Sequence, residues 1–101
     1  MFTIVRTSEF DEWLAALADG RGKARILARL NSAAHGNLGD CDSVGEGVSE
    51  MRVHFGPGDR VYFIRNGATV AVILCGGAKS TRKQDIAKAK KLAAEIRDLE
   101  R

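Results

Sequence analysis

GVSEMRVHFGPGDRVYFIRNGATVAVILC, residues 47–75, reads as three strands joined by two turns. Strand candidates span Val48 to Phe55, Arg60 to Arg65 and Ala68 to Cys75, each with the period-two side-chain geometry of a sheet. Pro57, the only proline, lies between Gly56 and Gly58. The proline restricts φ while the glycines permit conformations other residues resist, so this loop sets the register of the strands around it. Asn66-Gly67 is a hairpin signal, since a type I′ turn needs φ > 0 at both central residues. That turn places residue 65 opposite 68, 63 opposite 70 and 61 opposite 72. Val61, Phe63, Val70, Val72 and Leu74 then share a face, which is expected to be the helix-covered core. In the preceding strand Met51, Val53 and Phe55 are the apolar set. The matching register puts 54 opposite 60, 52 opposite 62 and 50 opposite 64. Glu50, Arg52, His54, Arg60 and Tyr62 are thereby expected on a helix-free, concave, basic face.

Outward from this segment, Phe2 to Arg6 is short and alternating, a first strand. Thr7-Ser8 offers hydroxyls to cap a helix whose stripe is Phe10, Trp13, Leu14 and Leu17. A second helix, about residues 21–34, buries Ile26, Leu27, Leu30, Ala33 and Ala34 and leaves Arg25 and Arg29 outside the stripe. Residues 35–47, HGNLGDCDSVGEG, read as a loop, and a basic amphipathic helix runs from about Thr81 to Glu100 with Ile86, Ala89, Ala93, Ile96 and Leu99 as its stripe. The class is α+β in the order β-α-α-β-β-β-α, an antiparallel sheet with the two N-terminal helices on one face, and residues 1–101 make one domain.

A chain of 101 residues with 45% hydrophobic and 29% charged residues has ordinary globular composition. No apolar run approaches the roughly 20 residues of a membrane span, and MFTIVRTSEF lacks the pattern of a secretory leader. Cys41 and Cys75 are far apart, with no partner at metal-ligand spacing, so no metal or other cofactor is expected and a reducing cytoplasm suits both thiols. Charge is segregated. Arg21, Lys23, Arg25 and Arg29 occur without an acid in residues 21–30, and residues 79–101 carry eight cations against four acids. Residues 37–50 carry only Asp40, Asp42, Glu46 and Glu50. Such segregation suits a polyanionic partner or plain solvated helix faces.

FDEWLAALADGRGKARILARL, GNLGD, GVSEMRVHFGPGDRVYF and LCGGAKSTRKQDIAKAKKLA together resemble the RelE/HigB-like toxins of bacterial type II toxin–antitoxin pairs, closest to the addiction module killer proteins. The resemblance covers nearly the whole chain and implies the same element order. It implies a cytoplasmic endoribonuclease that cuts mRNA on the ribosome without a metal, by attack of the ribose 2′-oxygen on the adjacent phosphate. It further implies a cognate antitoxin, a helix-turn-helix HigA-like protein, with no membrane and no small-molecule cofactor. Arg60 matches the arginine that holds the scissile phosphate, and Arg52 and Lys79 match further basic positions. Guanidinium suits that task because its planar fork grips phosphate and stays charged. His54 suits the role of base or acid, since imidazole titrates near neutrality. Tyr62 suits stacking on a base, with Arg25, Arg29, Arg82 and Lys83 as further RNA contacts.

Three positions depart from the subgroup's pattern. GPGYR becomes GPGDR, with Asp59; GGDKSTQ becomes GGAKSTR, with Ala78 and Arg82. An acid at 59 is expected to place negative charge beside the phosphate clamp and weaken cleavage. GGAKST does not fit a nucleotide-binding phosphate loop, because the lysine does not follow the right glycine; Ser80 or Thr81 reads instead as a helix cap. Two other readings stand beside the nuclease: a non-catalytic inhibitor like the ParE toxins, which bind DNA gyrase, and an inactive paralogue that only binds an antitoxin.

Overall fold

The computed structural model describes residues 2–68 and 70–99. The elements are β1 (Thr3–Arg6), α1 (Ser8–Ala16), α2 (Gly20–Ala34), β2 (Cys41–Gly45), β3 (Val48–Arg52), β4 (Arg60–Asn66), β5 (Val70–Gly77), a 3-10 turn (Lys79–Thr81) and α3 (Arg82–Leu99). The strands form one five-stranded sheet in the order β1-β5-β4-β3-β2. The class is α+β, as expected from the strand and helix periodicities.

Thr7 caps α1, its hydroxyl accepting from the Phe10 amide at 3.1 Å, and Asp19 caps α2 by accepting from the Arg21 amide at 2.9 Å. Phe10 and Leu14 of α1 and Ile26, Leu30 and Ala33 of α2 pack on Met51, Val53, Val61, Phe63, Ala71 and Ile73 from the sheet. The connection through α1 and α2 carries the chain from β1 at one edge of the sheet to β2 at the other, and β1 runs parallel to β5. The sheet is therefore mixed, where a wholly antiparallel one was expected.

The loop expected at residues 35–47 contains a strand. β2 pairs antiparallel with β3, Cys41 opposite Met51 and Asp42 opposite Glu50, with a bulge between Ser43 and Gly45. Its polar composition hides the strand because it is a sheet edge that buries only Cys41 and Val44, one on each face, in part.

Both expected registers shift. Asn66 stays in β4 and pairs with Val70, while only Gly67 of the Asn-Gly pair takes positive φ, so the type I′ turn is not formed. Thr69, which belongs to this connection, lies outside the described residues. Phe63 consequently faces Ile73, and a bulge at Tyr62/Phe63 pairs Tyr62 with Cys75. An odd shift moves a strand's side chains to the other face. Ala71 and Ile73, not Val72 and Leu74, therefore lie under α1 and α2. Between β3 and β4 the shift is two residues, with Arg52 opposite Arg60 and Glu50 opposite Tyr62, so face assignments survive there.

The face expected to be bare is covered by α3. Ala89 and Ala93 pack on Val48, Tyr62, Ile64, Val72, Leu74 and Cys75, with Ile86, Leu92 and Ile96 at the margin. Leu99 stays out of this contact, exposed at the helix end. Thr81 does not accept a capping bond; its hydroxyl donates to Asp85 Oδ2 at 2.6 Å. The paired glycines of GGAKST serve packing: a Cβ at Gly76 would overlap the Trp13 indole, and one at Gly77 the Asp85 carboxylate. Gly76→Ala is therefore expected to destabilise the fold by about 1–3 kcal/mol, the usual range for overpacking, read as a lower urea midpoint at unchanged m-value.

Candidate functional site

β3 and β4 present Glu50 and Arg52 beside Tyr62 and Arg60 on one face of the sheet. Glu50 is 1% exposed. A carboxylate so deeply buried requires compensation, and four side chains supply it. Tyr62 donates to its Oε2 at 3.0 Å, Arg82 Nε donates to the same oxygen at 2.8 Å, and Arg82 Nη2 and Arg52 Nη1 reach Oε1 at 3.3 and 3.4 Å. Arg60 Nε stands 3.3 Å from Oε2 but its N–H is not aimed at it, so this contact is an ion pair rather than a hydrogen bond. Arg60 Nη1 donates to Gly58 O at 2.9 Å.

Arg52 is engaged further. Its Nη2 donates to Asp40 Oδ1 and to Asp42 Oδ2, both at 2.7 Å, and its Nε to Asp40 Oδ2 at 3.2 Å. The hydrogen bonds from Arg52 and then His54 hold the Asp40 carboxyl well below the usual carboxylate range. Three guanidiniums, Arg52, Arg60 and Arg82, thus face three carboxylates, Glu50, Asp40 and Asp42. The acids come from β3, from β2 and from the segment leading into β2, and they neutralise much of the patch expected to be basic.

The loop after β3 is tightly wound. Val53 N donates to Asp59 O at 2.8 Å, Phe55 N to Val53 O at 2.9 Å and Gly58 N to Phe55 O at 3.3 Å. Gly56 and Gly58 adopt φ of 57° and 73°, the left-handed region that a Cβ disfavours. The loop walls a cleft of about 600 Å³ that Arg52, His54, Asp59, Arg60 and Lys79 also line. Lys79 is exposed and its backbone N–H donates to Pro57 O at 3.4 Å. The Gly58 Cβ position would stand 3.4 Å from Lys79 Cβ and 3.6 Å from Arg60 Nη1, which puts both cations against the same glycine.

Of the residues read from the sequence as catalytic, Arg60, Lys79, Arg52 and His54 all line this one cleft. The RNA-contact set is not brought together. Tyr62 is fully buried on Glu50, with its hydroxyl pushed above the ordinary phenol range chiefly by burial; it cannot stack on a base, because α3 covers it. Arg29 is spent on the fold, donating to Leu38 O at 3.1 Å and to Arg52 O. Arg25 lies over the Phe55 ring, 5.1 Å from its centroid, beside a second cleft that His54 also lines. Arg82 holds Glu50, and Lys83 is exposed on the first turn of α3.

Asp59 is also placed differently from expectation. It is buried, and its carboxylate points toward the start of α2, 3.5 Å from where a Gly22 Cβ would stand. Asp59 precedes β4 and also lines the cleft that Arg60 lines. Burial, and then the charge of Asp19, push its carboxyl upward. Glu50 was expected on this face from alternation but was given no role there, and Asp40 and Asp42 were not part of the sequence-derived site. An acid alternating with Arg52 inside an apolar strand was the one available sign of Glu50.

Glu50→Gln leaves Arg60 buried without its counter-charge and is expected to lower stability by about 1.5–3 kcal/mol, measured by chemical denaturation. Asp59→Asn has the opposite sign. A carboxyl with a raised folded-state pKa stabilises the native state only when protonated, so at neutral pH its charge opposes folding. The variant is expected to melt higher than the parent at pH 7, with the difference shrinking as pH falls through the carboxylate range.

No family model matches the chain. Over 93 residues it is 44% identical to a Haemophilus influenzae protein described as an uncharacterized protein, an alignment spanning 92% of this chain and 94% of the relative. At that identity over nearly the full length of both, the chain belongs to the same family as the H. influenzae protein.

Proposed function

We propose that the protein is a RelE/HigB-like toxin, an mRNA endoribonuclease that acts on the ribosome and is held in check by an antitoxin. The observation that carries this reading is the convergence of Arg60, Lys79, Arg52 and His54 on one cleft beside the GPG loop. The motif resemblance along the chain and the β-α-α-β-β-β-α framework, here with one added edge strand, support it.

The chemistry follows from the residues available. His54, exposed at the cleft, takes the 2′-hydroxyl proton. The 2′-oxygen attacks phosphorus as the bond to the 5′-oxygen breaks, giving a 2′,3′-cyclic phosphate. Arg60 balances the added charge on the phosphorane, and the Lys79 ammonium supplies a proton to the departing 5′-oxygen. Both groups then return to their starting states by exchange with water. Arg82, where the subgroup has glutamine, pairs with the Glu50 that also neighbours Arg60. Asp59 acts on the seating of the GPG loop against α2 rather than as a charge on the phosphate.

One observation favours the non-catalytic alternative. Arg52 is held by three carboxylates and Tyr62 is unavailable, which suits a surface that binds a protein target such as gyrase, or only an antitoxin. Programmed ribosomes separate the readings. Wild-type protein is expected to cut mRNA at codon-aligned positions, with Arg60→Ala about 10²–10³-fold slower, the usual effect of removing one transition-state charge donor. Intact message with wild-type protein overturns the nuclease reading.

A further inference from the structure

GNLGD, residues 36–40, has no role in the chemistry above, yet it is a built piece of structure that ends at His54. Asn37 Oδ1 accepts from the Gly39 amide at 3.1 Å. Gly39 has φ +68°, and a Cβ there would stand 2.6 Å from Arg29 Nη2. The Arg29 guanidinium lies against that glycine and bridges Leu38 O to Arg52 O, fastening the segment to the end of β3. The Arg52 amide donates back to Asp40 O at 3.0 Å. So fixed, Asp40 places Oδ2 2.5 Å from His54 Nε2 and Oδ1 2.7 Å from Arg52 Nη2. The His54 side chain is 73% exposed.

We propose that Asp40 is a positioning residue: its carboxylate accepts from His54 Nε2–H, fixes the ring and its tautomer, and leaves Nδ1 as the nitrogen that takes the substrate proton. This deepens the endoribonuclease reading and rests on it for the role of Nδ1; the pairing itself does not. A carboxylate behind an imidazole is a general way to hold one tautomer and stabilise the imidazolium formed on proton transfer. The same contact anchors Arg52, so one side chain registers the base against the cation pair. Other charged groups around His54 are Arg52 on β3, Asp59 just before β4, Arg60 at its start, Lys79 on the 3-10 turn, and Arg25 and Arg29 on α2. Among the described residues only Asp40 hydrogen-bonds the ring.

The test pairs imidazole ¹⁵N NMR of the free full-length chain with single-turnover cleavage on programmed ribosomes, for wild type, Asp40→Ala, Asp40→Asn and Asp42→Ala. In wild type, neutral His54 is expected to show a proton-bearing Nε2 with the shift of a hydrogen-bonded N–H. Asp40→Ala loses that signature and Asp42→Ala, which also removes an acid from Arg52, keeps it. Asp40→Asn, whose amide oxygen still accepts, restores the tautomer. In cleavage, Asp40→Ala is expected to lose about tenfold or more in kcat with KM little changed, short of the 10²–10⁴-fold that a general base contributes, and Asp40→Asn to recover part of it. An unchanged His54 spectrum in Asp40→Ala, or equal changes in Asp40→Ala and Asp42→Ala, overturns the assignment. If wild type cuts no message, the nuclease reading falls and the role of Nδ1 with it, while the spectra alone decide whether Asp40 fixes the ring.

Discussion

A single buried carboxylate organises this molecule. Glu50 lies on β3 beside the start of α3, and it is kept there by Arg52 from its own strand, Arg60 and Tyr62 from β4, and Arg82 from the first turn of α3. Ion pairs of this kind contribute less to net stability than their number suggests, because desolvation offsets most of the attraction. Their value here is positional. The side chain of Arg60 is only 13% exposed and can point in few directions. The start of α3 is drawn to the same point as the two central strands.

That arrangement gives the cleft its two kinds of cation. Arg52 and Arg60 are constrained by carboxylates, and Lys79 is exposed on the 3-10 turn. Beside the GPG loop the exposed ammonium of Lys79 and the constrained guanidinium of Arg60 line the same cleft. The loop can be this tight because two glycines take left-handed backbone on either side of a proline. The basic character of α3 is moderated in a similar way, Lys88 pairing with Glu9 at 2.9 Å and Lys90 with Glu46 at 3.4 Å. Surface pairs such as these are worth little individually, but they reduce the field that net charge alone implies.

Tyr62 shows how a correct local reading leads to a wrong role. Its placement on the same face as Glu50, Arg52 and Arg60 follows from alternation and holds in the structure. Its burial does not follow, because alternation says which residues share a face and not what covers that face. Arg29 is a parallel case: the helical stripe correctly leaves it outside the apolar set, yet its guanidinium is used to fasten GNLGD to β3. β2 escaped detection because an edge strand half-open to solvent has no strong apolar period to announce it.

Residue order alone was enough for the helices, the three consecutive strands, the Thr7 cap and the gathering of Arg52, His54 and Arg60 near one loop; Lys79 came to that set only through the family resemblance. Each is a local property, set by side-chain period, capping chemistry or the short reach of a turn. The parallel seat of β1, the slip of the β4–β5 pairing, the cover that α3 gives to Tyr62 and the encounter of Asp40 with His54 belong to the assembled molecule. They depend on contacts between segments distant in the chain, where burying apolar surface and matching a buried charge outweigh the preferences of any short stretch.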